Sequence, residues 1–196
     1  MGQTQGKHEA PEPLVIDSKN TEIAIFAAGC FWQVRLSKAE NLGVEKMFNK
    51  HYGKDGIQTR VGYTGGKTVN PTYNQVCFGD TDHAEAIRIH FDPNRVSYGT
   101  LVEFFYRMHN ATQLNRQGPD IGTQYRSAIF YHSPEQLATI ERVTKEVQET
   151  KNFYKGKKIQ TLVVQAGEWH DAEAYHQKYL ETNTHGYECP SHHLYW

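Results

Sequence analysis

Apolar residues fall in two rhythms along this chain, and the alternation between them predicts a mixed fold. Glu22-Ile23-Ala24-Ile25-Phe26-Ala27-Ala28 is a strand-like apolar run that stops at Gly29. Ile87-Arg88-Ile89-His90-Phe91 has strict period two and ends at Asp92-Pro93, which predicts a half-buried strand. Ser97 precedes a helical stripe of Leu101, Val102, Phe104, Phe105 and Met108, and Ser127 to His132 reads as another strand. Ser133-Pro134-Glu135-Gln136 then supplies an N-cap, a first-turn proline and a capping-box partner for a helix carrying Leu137, Ile140, Val143 and Val147. Gln160 to Gln165 predicts a strand and Asp171 to Leu180 a helix. Residues 1–20 are polar around Pro11 and Pro13 and predict a flexible tail, and residues 21–196 show neither repeat nor linker and predict one domain. Mixed order with few hairpin signals gives an α+β or α/β sandwich whose strand order stays open.

Composition removes several function classes. The net charge of −1 and the lack of a long basic block argue against a nucleic-acid partner. No apolar run approaches the ~20 residues needed to span a bilayer. Met1 to Ala10 has neither the charged nor the apolar region of a secretory signal, and Gly6 stands where a myristoylation motif wants Ser or Thr. Three cysteines without paired spacing fit a reducing, cytoplasmic setting and redox or catalytic use.

The candidate chemistry begins at Gly29-Cys30-Phe31-Trp32. A strand that stops there and turns into a helix would hold Cys30 at the helix N-terminus, where unpaired N–H groups favour a thiolate. Phe31 and Trp32 could wall an apolar pocket beside the sulfur; the competing reading is a buried, inert cysteine. Three further segments carry polar groups that packing does not require: Tyr63 to Tyr73, Gly79 to Glu85 and Gly118 to Tyr125. Each alone reads as a cap, a turn or a surface ion pair. Together they place acids and tyrosines at the entrances of core strands, where they can converge at one end of a sheet.

In their order along the chain these motifs resemble the A-type peptide methionine sulfoxide reductases. The resemblance runs from Glu22 to the C-terminus through GCFW (29–32), VGYTGG (61–66), NPTY (70–73), GDT (79–81), HAE (83–85) and NRQGPDIGTQYRS (115–127). It continues through Asp171-Ala172-Glu173, Tyr175-His176-Gln177 and Gly186-Tyr187-Glu188-Cys189-Pro190. It implies an α+β fold, a mixed β-sheet sandwich with flanking helices and a core related to ferredoxin-like domains. It also implies a protein-repair enzyme of the oxidative stress response that reduces methionine S-sulfoxide, free or in oxidised proteins, to methionine. Cys30 is then the nucleophile, Glu85 the acid, and Tyr73 and Tyr125 the hydroxyls on the sulfoxide oxygen. Asp120 organises the polar network, and Phe31 and Trp32 receive the substrate's S-methyl group. No metal or bound organic cofactor is implied; thioredoxin is the external reductant and partner, and a monomer is expected.

The sulfenic acid left on Cys30 needs a second thiol. Cys189, in a Gly-, Pro- and Ser-containing C-terminal segment, is the expected resolving residue, and Cys77 is read as buried and structural. The chain departs from the family pattern where Gln33 to Leu42 separates Trp32 from Gly43-Val44-Glu45. At ~100° per residue, ten extra helical residues turn the following face by roughly 280°, taking Val44, Met47 and Phe48 out of phase with Phe31. The alternative function is therefore a catalytically impaired member that binds methionine sulfoxide. His109-Asn110-Ala111-Thr112, where relatives commonly have Asp-Pro, should alter a loop only. A cysteine hydrolase lacks its accompanying motif, and Cys189 with His192 and His193 is too little for structural zinc.

Overall fold

The computed structural model describes residues 11, 20–31, 43–178 and 192–196. Strand β1 (Glu22–Ala28) ends one residue before Gly29, as its apolar run predicts. Helix α1 (Val44–Tyr52), strand β2 (Gln58–Thr64), helix α2 (Tyr73–Phe78) and strand β3 (Ala84–Phe91) follow, then helix α3 (Tyr98–Met108). A two-residue hairpin, β4 (Arg116–Gln117) and β5 (Asp120–Ile121), leads to strand β6 (Ser127–Tyr131) and helix α4 (Pro134–Thr150). Strands β7 (Leu162–Gln165) and β8 (Trp169–Asp171) complete a six-stranded sheet of order β7-β6-β1-β3-β2-β8. All its pairings are antiparallel except β6 with β7. Within it, β1-α1-β2-β3-α3-β6 is a βαββαβ unit with spatial order β6-β1-β3-β2, the ferredoxin-like arrangement implied by the resemblance.

The main core lies between the sheet and helices α1, α3 and α4. Ala24, Phe26 and Ala28 of β1 and Ile87, Ile89 and Phe91 of β3 meet Phe48, Leu101, Phe105, Ile140 and Val143 there. Phe26 stacks on Phe48 at 5.6 Å and on Phe105 at 5.2 Å between ring centroids. The second face carries a smaller apolar cluster, including Ile25, Ala86 and Phe130. Strand β3 is therefore buried on both faces, not half-buried as its alternation predicts. It lies between β1 and β2, and its polar Arg88 is packed over the Trp169 ring and paired with Asp171 at 3.3 Å.

Helix α1 removes the phase problem expected of the 33–42 segment, which itself lies outside the described residues. The helix starts afresh at Gly43, whose carbonyl accepts the Met47 N–H at 2.7 Å, and Val44, Met47 and Phe48 are buried. These three residues therefore face the core, not away from it as the ten-residue displacement predicts. The predicted caps of α3 and α4 are present: Ser97 accepts from the Thr100 amide and Ser133 from the Gln136 amide. The Gln136 side chain accepts from the His132 amide, one residue before the position a capping box would use.

Two expectations change. Where a helix is expected over 171–180, the described residues 171–178 hold the end of β8 and a single 3-10 turn, Ala174–His176. Asp171 pairs opposite Gly62, the Ala172 amide donates to the Val61 carbonyl, and the Gln177 carboxamide clasps the Val61 amide and carbonyl. Pairing with β2 thus holds the start of this segment in extended backbone. Strand β7 is shorter than predicted and forms one edge of the sheet, with Leu162, Val163 and Val164 all exposed. At the C-terminus, His192 is buried and its Nε2 donates to the Ala28 carbonyl at 2.7 Å. The Tyr195 amide donates to the Arg107 carbonyl, and the Trp196 ring packs on Tyr154.

Candidate active site

Strand polarity brings the candidate residues to one end of the sheet. Strand β1 runs antiparallel to β3 with Phe26 opposite Ile87, so the residues after β1 arrive beside Glu85 near the start of β3. Strand β2 ends at the same level, with Tyr63 opposite Glu85, and β6 begins there just after Tyr125. Gly29 makes the turn out of β1 with φ +100°, and a Cβ on it would lie 2.5 Å from the Gln117 Cβ. Only glycine fits both the backbone and the space. The loops are joined as tightly: a Cβ on Gly66 would lie 2.4 Å from the His83 amide nitrogen and from the Thr81 carbonyl.

Cys30 and Glu85 form the centre. Both are buried, and neither Cys30 nor Cys77 is in a disulfide. The Phe31 amide donates to Glu85 Oε2 at 2.9 Å, and the Cys30 thiol hydrogen-bonds to the same carboxyl group. Burial pushes the Glu85 pKa up to about 8, against these two bonds, and the charge of Asp120 pushes in the same direction as burial. Glu85 Oε1 is buried without a hydrogen-bond partner. A neutral carboxyl group with its second oxygen unoccupied is equipped to donate a proton.

Tyr73 is the first residue of α2, which Thr72 and Gln75 cap reciprocally. Tyr125 ends a 3-10 turn whose Gln124 side chain donates to the Cys77 carbonyl at 3.1 Å. Burial raises the pKa of both phenols; at Tyr73 a hydrogen bond with Cys77 adds to this, and at both the charge of Glu85 does so. Each hydroxyl therefore remains a neutral donor close to Glu85 and Cys30. Asp120, half-buried at the start of β5, lies within electrostatic range of Glu85 and Tyr125.

An aromatic wall stands beside the thiol. The Phe31 ring lies 5.8 Å from Tyr63 and 5.5 Å from His176, and Tyr73 lies 4.8 Å from His176. Val61, Val76 and Ala172 complete this cluster.

The structure thus brings together Cys30, Phe31, Glu85, Tyr73, Tyr125 and Asp120, all expected from sequence. Trp32 and Cys189 lie outside the described residues. Cys77 differs from its reading as a buried packing residue. It is half-buried, and its thiol is within hydrogen-bonding reach of the Tyr73 and Tyr125 hydroxyls. Its ordinary pKa is raised by burial. Tyr63, Glu173 and His176 received no role in the sequence, although all three sit in quoted motifs. Among the described residues, no group of three or more His, Cys, Asp or Glu is placed to hold a metal ion. No helix among them is long and apolar enough to cross a membrane.

Known proteins share both the sequence and this architecture. The family model described as Peptide methionine sulfoxide reductase matches residues 22–194. A Schizosaccharomyces pombe protein named "Probable peptide methionine sulfoxide reductase" is 49% identical over 177 residues, covering 89% of this chain and 97% of that protein. The structure of Mxr1 from Saccharomyces cerevisiae in reduced form superposes with a TM-score of 0.79 at 36% identity, covering 91% of this chain and 94% of that one. A structure of Mxr1 in complex with Trx2 shares the fold, with a TM-score of 0.60 at 22% identity, covering 94% and 97%. With this match running the length of the folded chain and through its thiol–carboxyl centre, the protein belongs to the peptide methionine sulfoxide reductase family.

Proposed function

We propose that Cys30 is the nucleophile and Glu85 the proton donor with which this reductase converts methionine S-sulfoxide, free or in oxidised proteins, to methionine. The observation that carries the assignment is the buried Glu85 carboxyl group, hydrogen-bonded to the Cys30 thiol and the Phe31 amide, with Oε1 left without a partner. Sulfur of Cys30 attacks the sulfoxide sulfur while Glu85 protonates the oxygen, which otherwise leaves poorly. The thiol proton replaces the one that Glu85 gives up, along the existing hydrogen bond. Hydroxide then passes to the Cys30 sulfur as methionine departs. Thiol and sulfoxide become sulfenic acid and thioether, with no atom unaccounted for. Tyr73 and Tyr125 hold the oxygen, Asp120 helps keep Glu85 neutral, and Phe31 with Trp32 takes the S-methyl group.

Cys189 condenses with the sulfenic acid, releasing water and forming a disulfide with Cys30. Chain length supports this: Cys189 is three residues from His192, a reach of at most about 11 Å, and His192 is bonded to Ala28, two residues from Cys30. The Trx2 complex of the yeast relative supports a thioredoxin-type dithiol as the reductant that completes the cycle. In this reading residues 21–196 are the catalytic domain, the setting is the reducing cytoplasm, and no bound cofactor takes part.

Single-turnover methionine release tests the assignment. Cys30→Ser should abolish it with the fold intact, and Glu85→Gln should slow it by ~10²-fold or more. Normal release by Cys30→Ser would remove the mechanism, and an unchanged rate in Glu85→Gln would place the acid elsewhere. Peptide mapping after one turnover without reductant should find Cys30 joined to Cys189; a Cys30–Cys77 bond would reverse that assignment.

A further inference from the structure

The Asp171–Gln177 segment sits behind the aromatic wall, and one carboxylate in it ties two walls of the site together. Glu173 Oε1 accepts the Tyr73 amide at 2.9 Å, and Oε2 accepts the Tyr63 hydroxyl at 3.0 Å. His176 Nε2 lies 3.3 Å from Oε2, and the His176 ring touches both Phe31 and Tyr73. We infer that Glu173 is a positioning residue for sulfoxide reduction: it fixes the start of helix α2, and with it the Tyr73 hydroxyl, against the Phe31 wall. The inference rests on the reading that Tyr73 holds the substrate oxygen.

Helix α2 has only six residues and little stability of its own, so its N-terminal position must be set from outside. Its own cap satisfies the Gln75 and Thr72 amides and leaves the Tyr73 amide to Glu173. Burial opposes the Glu173 charge, but bonds from His176, the Tyr73 amide and the Tyr63 hydroxyl outweigh it and lower its pKa to about 2. A carboxylate ionised throughout the working range holds both donors continuously. Motion of α2 would displace the Tyr73 oxygen without touching Cys30 or Glu85, so the loss belongs to the transition state and not to substrate binding.

The test is a double-mutant cycle on single-turnover rate at saturating methionine sulfoxide, using Glu173→Gln, Tyr73→Phe and the pair. Glutamine has one carbonyl oxygen and can serve one of the two donors, with no charge for His176. Glu173→Gln should lower the rate about tenfold, leave half-saturation within about twofold, and lose most of its effect in the Tyr73→Phe background. Tyr63→Phe, which removes only one of the bonds, should fall between wild type and Glu173→Gln. Full additivity of Glu173→Gln with Tyr73→Phe, or a Glu173→Gln rate equal to wild type, would overturn the inference. A wild-type rate in Tyr73→Phe itself would instead overturn the reading beneath it.

Discussion

A carboxyl group stays protonated near neutral pH when burial and a negative neighbour both oppose its ionisation, and Glu85 has both in the sheet interior and Asp120. Its folded pKa of about 8 lies above the ordinary 4.5, so the native state binds more protons than the unfolded chain between these values. Stability is lost as pH rises from the lower value through the higher one, by a few kcal/mol at most. Glu85→Gln should therefore gain in thermal midpoint over wild type increasingly between about pH 5 and pH 9; a constant difference would show that Glu85 does not titrate there. The same titration should give the single-turnover rate an alkaline limb near pH 8 that is absent from Glu85→Gln. Glu173 has the opposite sign: its contribution is present above 4.5 and lost as pH falls toward about 2. The convergence of Cys30, Glu85, Tyr73 and Tyr125 was legible because their motifs stand at the entrances and exits of strands that the apolar pattern marks. The role of Glu173 was not, because its partners Tyr63 and Tyr73 lie 110 and 100 residues away and only the folded sheet brings them close.

Caps and stripes made α3 and α4 readable, since Ser97, Ser133 and the apolar faces behind them act locally. Helix α2 carried an equally local signal in Thr72 and Gln75, but the quoted segment ended at Tyr73 and no helix was read there. The helix expected over 171–180 failed for the opposite reason. Its residues bond sideways to β2 through Ala172 and Gln177, and no periodicity within the segment reports that. The C-terminal segment has a similar dependence on a distant strand, through His192 and Ala28. If that bond anchors Cys189 near Cys30, His192→Ala should leave the first methionine released at the wild-type rate and slow disulfide formation several-fold (~1 kcal/mol or more for a buried hydrogen bond). Sulfenic acid trapping with dimedone measures the delay. A disulfide formed at the normal rate would show that the anchor has no part in resolution.

At the scale of the molecule, the βαββαβ order puts the ends of β1 and β2 and the starts of β3 and β6 at one rim; Cys30, Phe31, Glu85 and Tyr125 are carried on or beside those ends, and Tyr73 and Asp120 on the connections between them. The opposite consequence of the topology falls on β7. Among the described residues it is the last strand on its side of the sheet, with Leu162, Val163 and Val164 exposed along it. Edge strands of this composition are templates for pairing with another chain, and natural proteins commonly blunt them with lysine or proline. Colloidal behaviour should therefore be set at this edge: heated or concentrated protein should self-associate through β7 while each folded copy remains competent. Leu162→Lys should raise the temperature at which light scattering begins and leave turnover unchanged. If scattering begins at the same temperature, aggregation starts from another surface, and the exposed valines of this edge are tolerated for want of a partner in register.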